Sequence, residues 1–237
     1  MNYNDYEVNV AFRERELQAS AALPALMRKV YVWMTLALAI TGFTAYAVAT
    51  TPNLQQMVLM NSWVMWGLII AEFALVMGIS WGINKLSLTT ATLLFVLYSV
   101  INGATLSVIF VAYSIGTIST VFFITAGTFA VMAFIGYVTK TDLSKMGKIL
   151  FMALIGIIIA TVVNIFVKSS GLDLLLSVFG VLLFVGLTAY DTQKIKAMAA
   201  MNTGYEMSVL GLWGALSLYL DFINLFLYLL RIFGNRK

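Results

Sequence analysis

Residues 216–226 read Leu216-Ser217-Leu218-Tyr219-Leu220-Asp221-Phe222-Ile223-Asn224-Leu225-Phe226, inside an apolar run from Leu210 to Ile232. About 20 consecutive apolar residues form a helix long enough to cross the hydrocarbon of a bilayer. One carboxylate, Asp221, lies within this run, where a charge costs about 2.5–3.5 kcal/mol on insertion scales. A second, Asp191, closes the preceding apolar run in Thr188-Ala189-Tyr190-Asp191-Thr192-Gln193-Lys194. An acid at such depth needs a partner, a proton or a function to offset that cost, so both mark a candidate site.

Composition says which solvent surrounds these runs. Hydrophobic residues make up 62% of the 237 residues and charged residues 10%, with a mean hydropathy of +0.96. A soluble domain carries roughly 25% charged residues, so this chain cannot cover a water-facing surface, and lipid must take the place of water around most of it. The net charge of +4 does not indicate nucleic acid, because the basic residues sit at the ends of apolar runs and form no patch. The chain has no cysteine and no histidine. That excludes disulfides, thiolate nucleophiles, haem ligation, the usual zinc sites and Ser–His catalysis, and no cofactor is expected. Any titration near neutral pH must come from a carboxyl or a lysine in an altered environment.

Seven apolar segments are long enough to span: Val30–Thr50, Ser62–Ile83, Thr89–Val111, Ile118–Val138, Ile149–Val167, Leu172–Lys194 and Leu210–Ile232. They are apolar on every side, unlike barrel strands, so the expectation is an all-α integral membrane protein with seven transmembrane helices. Residues 1–29 are polar and mixed in charge and read as a cytoplasmic N-terminal arm, with 30–237 as the transmembrane domain. The arm lacks the pattern of a signal peptide, and a helix over residues 11–27 would be expected to break at Pro24. Arg13, Arg15, Arg28, Lys29, Lys85, Lys140, Lys145, Lys148, Lys194 and Lys196 fall on one side, against Lys168, Arg236 and Lys237 on the other, with Arg231 near the surface. This bias argues for a cytoplasmic N-terminus and an external C-terminus. Gly78 and Gly82, four apart with Ser80 beside them, predict a close helix–helix approach within the bundle.

The ionisable groups within the spans are Glu72, Asp191, Asp221 and Arg231. The sixth and seventh spans run antiparallel through a loop at 195–209. If the sixth helix ends near Lys196, Asp191 lies ~7 Å inside its end and Asp221 ~10–16 Å inside the start of its own helix. A meeting of the two is therefore geometrically allowed. Two carboxyls in contact in a low dielectric cannot both ionise easily, and such a pair would hold one proton and titrate as a unit. Arg231 follows Asp221 by ten residues and cannot be its close partner. Pairing with Glu72, or snorkelling to the headgroups, are the two readings for it.

Tyr190-Asp191-Thr192-Gln193 in one span and Leu218-Tyr219-Leu220-Asp221-Phe222-Ile223-Asn224-Leu225-Phe226 in the next resemble the Bax inhibitor-1 family, also called the transmembrane Bax inhibitor motif family. The likeness extends through Lys140-Thr141-Asp142-Leu143-Ser144 and Val163-Asn164-Ile165-Phe166. It implies a fold in which the last helix is central and the other six surround it in two groups of three, and a pH-sensitive calcium leak in an inner membrane. It also implies that Asp191 and Asp221 are the pH sensor on the ion path, with Glu72 and Arg231 on that path or forming an ion pair. An arginine that latches the acidic pair at the end of the second helix is implied as well. Here that stretch reads Trp81-Gly82-Ile83-Asn84-Lys85, which leaves Lys85 as the candidate latch, with a point charge in place of a planar fork. The resemblance further implies a link to a membrane-bound protease.

Carboxylates are suitable hard ligands for Ca²⁺. Asp191, Asp221 and Glu72 are too few for a tight cage and would bind the ion weakly and in transit. Two other readings stand beside this one. A non-conducting regulator of other membrane proteins would use its packing surface. An intramembrane aspartyl protease would explain Tyr190-Asp191, but Tyr219-Leu220-Asp221 lacks the glycines of that motif; no enzymatic activity is expected. A retinal Schiff base has no lysine in the last span to form on.

Overall fold

The computed structural model describes residues 3–82, 85–200 and 207–234, with side chains described from Ala22 onward. Ile83, Asn84, Arg236, Lys237 and the side chains of Arg13 and Arg15 lie outside the described residues, and with them part of the expected charge asymmetry. The helices are α1 (Tyr3–Thr50), α2 (Pro52–Leu59), α3 (Ser62–Gly82), α4 (Leu88–Leu106), α5 (Val108–Ala112), α6 (Ile115–Val138), α7 (Ser144–Val167), α8 (Ser170–Ala200) and α9 (Met207–Phe233). Among the described residues, seven stretches are long and apolar enough to cross a bilayer: Ala22–Thr50, Ser62–Gly82, Leu88–Ala112, Ile115–Val138, Ser144–Val167, Ser170–Ala200 and Met207–Phe233. The chain is an all-α integral membrane protein.

Local chemistry sets the helix ends. Thr51 precedes Pro52, which pushes it into an extended conformation and stops α1. The Asn61 carboxamide oxygen accepts the Trp63 and Val64 N–H groups at 3.1 and 3.3 Å to open α3. Ser87 and Ser114 cap α4 and α6 by accepting the N–H groups of Thr90 and Thr117. The left-handed Lys168 (φ 53°) ends α7, and the Asn164 side chain accepts the Ser169 N–H at 3.1 Å to seal that turn.

Two boundaries differ most from the sequence reading. The helix does not break at Pro24 but runs through it into the first span. Leu26, Met27 and Val30 bury themselves in the bundle on either side of the expected arm boundary at residue 29, and this packing offsets the hydrogen bond that proline removes. The sixth span continues past Lys194 to Ala200, because Ile195 and Ala199 still have a core to pack into.

α9 packs against α1, α4, α6 and α8, while α3 leans on α4 and α7 on α8. Its Ala215, Leu218, Tyr219 and Leu225 have no exposed surface. The outer helices are the opposite case: α3 buries Ile79, and α7 buries Gly147 and Ile157. Phe43, Phe123 and Phe166 stand 76%, 72% and 81% exposed, a surface tenable in lipid and not in water. Trp63 and Trp81, both exposed, mark the two ends of α3 about 27 Å apart, close to the ~30 Å of bilayer hydrocarbon and suited to the aromatic belts at its edges.

The expected close approach at Gly78 does not form, since a Cβ there would meet nothing within 4 Å. The tight crossings lie elsewhere. Gly103 on α4 faces the Thr41 backbone on α1, and Gly136 on α6 faces the Ala189 backbone on α8. At both, only a glycine lets the two backbones touch.

Candidate functional site

The two aspartates sit on adjacent antiparallel helices, but at different depths. Asp191 is nine residues before the end of α8 and Asp221 fourteen after the start of α9, or ~14 and ~21 Å along the axes. Ser217, one helical turn before Asp221, is at ~15 Å and so lies level with Asp191. Accordingly the Ser217 hydroxyl donates to Asp191 Oδ2 at 2.5 Å. The direct contact between carboxylates that the sequence allowed gives way to a serine on one of them. Asp221 is 4% exposed, and its Oδ2 has no hydrogen-bond partner among the described residues. Asp191 is the charged group whose field reaches it.

The charge of Lys194, one turn after Asp191 on α8, acts on that carboxyl. Its ammonium sits 4.9 Å above the Trp213 ring and 5.9 Å from that of Tyr190. Lys85 is exposed at the end of α3, and no ion pair joins it to either aspartate among the described residues. The Tyr190 ring lies over Gly147 of α7.

Glu72 belongs to a separate cluster. It accepts the Thr105 hydroxyl at 2.6 Å and an Asn102 amide N–H at 3.3 Å, both from α4. Asn102 Oδ1 in turn accepts the Tyr219 hydroxyl at 2.9 Å. Thr41 Oγ1 lies 2.7 Å from that hydroxyl and donates to the Ser99 carbonyl at 2.9 Å. Two hydroxyl protons thus serve three contacts, so the Tyr219 and Thr41 protons have alternative placements. Tyr219 is two residues from both Ser217 and Asp221, about 200° around α9, which puts the Glu72 cluster on the opposite face of that helix.

Among the described residues no three acidic side chains gather as a metal cluster, so Glu72 does not join the aspartates as a third ligand. Nor does Arg231 pair with Glu72. Its guanidinium meets Asp173 at 3.3 Å, because Asp173 opens α8 at the level where Arg231 closes α9, whereas Glu72 is in mid-span on α3, behind α4. Tyr219→Phe is expected to leave Asn102 Oδ1 without its donor and to lower stability by about 1–3 kcal/mol; thermal unfolding of the purified protein measures this.

The motifs that carried the resemblance fold against one another. Gln193, two residues after Asp191, accepts the Leu143 N–H and donates to the Thr141 carbonyl, each at 2.8 Å, and so ties the turn between α6 and α7 to α8. In the same turn Asp142 accepts the Ser144 N–H at 2.9 Å. The Ser144 hydroxyl and N–H together hold this exposed carboxyl below the usual carboxylate range, so the contact is present at neutral pH and is lost as pH falls through that lowered value.

Sequence reading found Asp191 and Asp221 but missed Ser217, Lys194, Asn102, Thr105 and Thr41. Ser217 was legible as a polar residue one turn from Asp221. The α4 and α1 partners had no signal beyond being polar in an apolar run.

The profile described as "Inhibitor of apoptosis-promoting Bax1" matches residues 23–237. The chain is 48% identical over 224 residues to the inner membrane protein YbhL of Escherichia coli strain K12, covering 93% of this chain and 96% of that protein. It is 47% identical over 216 residues to an uncharacterized protein of Borreliella burgdorferi, covering 89% and 92%. An uncharacterized membrane protein of Streptococcus pyogenes serotype M6 shares 36% over 220 residues, covering 92% and 96%. With the profile reaching all seven spans and near-full-length relatives at this identity, the chain belongs to the Bax inhibitor-1 family.

Proposed function

We propose that this protein is a pH-sensitive calcium leak of an inner membrane, switched by protonation of Asp191 and Asp221. The supporting observation is the buried Asp221, whose Oδ2 has no hydrogen-bond partner among the described residues. A carboxylate there is poorly tolerated without a proton or a cation, and the neighbouring Asp191 makes simultaneous ionisation harder still. Proton loss favours an arrangement in which the pair meets water and a hard cation; proton gain favours the closed packing described above. With two carboxylates and no third acid gathered with them among the described residues, calcium would be held weakly, as passage requires.

The inner-membrane location rests on the name of the Escherichia coli relative. The cytoplasmic N-terminus rests on the excess of lysine and arginine at that end of the bundle. Calcium uptake into proteoliposomes of the purified protein, compared between about pH 8 and about pH 6, tests the proposal. A flux above that of empty liposomes that changes with pH is the expected result. Absence of flux at every pH would overturn it and favour a non-conducting regulator.

A further inference from the structure

A groove of about 940 Å³ runs between α1 and α6. One wall is the stripe Pro24 to Gly42 of α1, the other the stripe Phe122 to Tyr137 of α6, and Phe222 of α9 lines it too. The walls are apolar for most of their length. Charge enters at one end only, with Arg28 on α1 in the lining. Tyr137, at the matching end of α6, carries a second cation: the Lys196 ammonium donates to the Tyr137 carbonyl at 2.9 Å and sits 5.5 Å from its ring centroid. Arg28 is exposed, and no carboxylate pairs with it among the described residues.

From Arg28 to Gly42 the groove extends about 21 Å along α1, which takes it from the bilayer edge past the midplane of a ~30 Å hydrocarbon layer. That is the shape of one lipid leaflet: a polar end at the interface and an apolar slot as deep as an acyl chain. A guanidinium presents a planar fork of donors matched to phosphate oxygens, and basic pockets between membrane helices are suited to anionic lipid headgroups. We propose that the groove between α1 and α6 is a binding site for an anionic glycerophospholipid, with its phosphate at Arg28 beside Lys196 and one acyl chain along the slot to Gly42.

Phosphatidylglycerol and phosphatidylcholine of identical chains are the probes, added to the full-length protein in a mild detergent, with thermal stabilisation and titrated affinity as readouts. Phosphatidylglycerol is expected to bind roughly tenfold more tightly than phosphatidylcholine. Arg28→Gln should erase that preference while still binding both lipids. Gly42→Leu should weaken both equally, because a Cβ at Gly42 meets nothing within 4 Å and the longer side chain fills the slot without disturbing the backbone. Lys140→Gln with Lys145→Gln, two exposed positions in the turn and the first turn of α7 at the same end of the bundle, should keep the preference. Equal affinity for the two lipids, a preference surviving Arg28→Gln, or a preference lost in the Lys140/Lys145 variant would each overturn the proposal.

Discussion

Asp191→Asn combined with Asp221→Asn is expected to abolish the pH dependence of calcium flux and to fix the flux at the level the unaltered chain shows in acid. Asparagine has nearly the shape of a protonated aspartate and cannot lose that proton, so the variant reports one end state at every pH. A switch governed by one proton changes its state ratio by at most about tenfold per pH unit. The unaltered protein should approach that slope at its steepest and the double variant should show none. Ser217→Ala is a useful companion: it removes the hydroxyl that donates to Asp191, leaves both carboxyls in place, and should move the midpoint while preserving the dependence. If the double variant keeps the pH response of the unaltered protein, the aspartates are not the sensor. The Glu72 cluster on the other face of α9 then becomes the first alternative.

Gly136→Ala is expected to be the most damaging single methyl group that can be added to the bundle. The added carbon would fall 2.8 Å from the Ala189 Cα on α8, against backbone that cannot rotate aside, so α6 and α8 must separate. Overpacking of this kind costs about 1–3 kcal/mol, and the shift would reach Asp191, two residues along from Ala189. Gly127→Ala is the matched control, on the same helix with nothing within 4 Å of the added carbon. There the higher helix propensity of alanine should leave stability unchanged or raise it, by up to about 1 kcal/mol. Thermal unfolding of both variants settles the comparison. Equal loss at the two positions would mean that the contact with Ala189 does not set the spacing of these helices.

The seven spans and the placement of Asp221 inside the last of them follow from the sequence alone, because a bilayer imposes a length and an apolar composition that can be read residue by residue. The stop at Thr51 is local chemistry as well, imposed by the proline that follows it. The continuation of α1 through Pro24 was not legible, since what offsets the proline is the burial of Leu26, Met27 and Val30 against other helices. Gly78 and Gly82 show the same limit from the other side: their spacing is that of a packing motif, yet Gly78 faces open space, while isolated Gly103 and Gly136 make the close contacts. Spacing along one helix says which residues share a face and nothing about what that face meets.

The candidate site divides along the same line. The sequence by itself determined that two carboxylates enter adjacent spans of a membrane bundle and that no histidine or cysteine could share their chemistry. Only the tertiary structure decided that Ser217 bonds Asp191, that Glu72 answers to Asn102, Thr105 and Tyr219, and that Arg231 takes Asp173. The axial offset of two antiparallel helices selects which residues are level with one another, and that offset is fixed by packing contacts far from the residues it aligns.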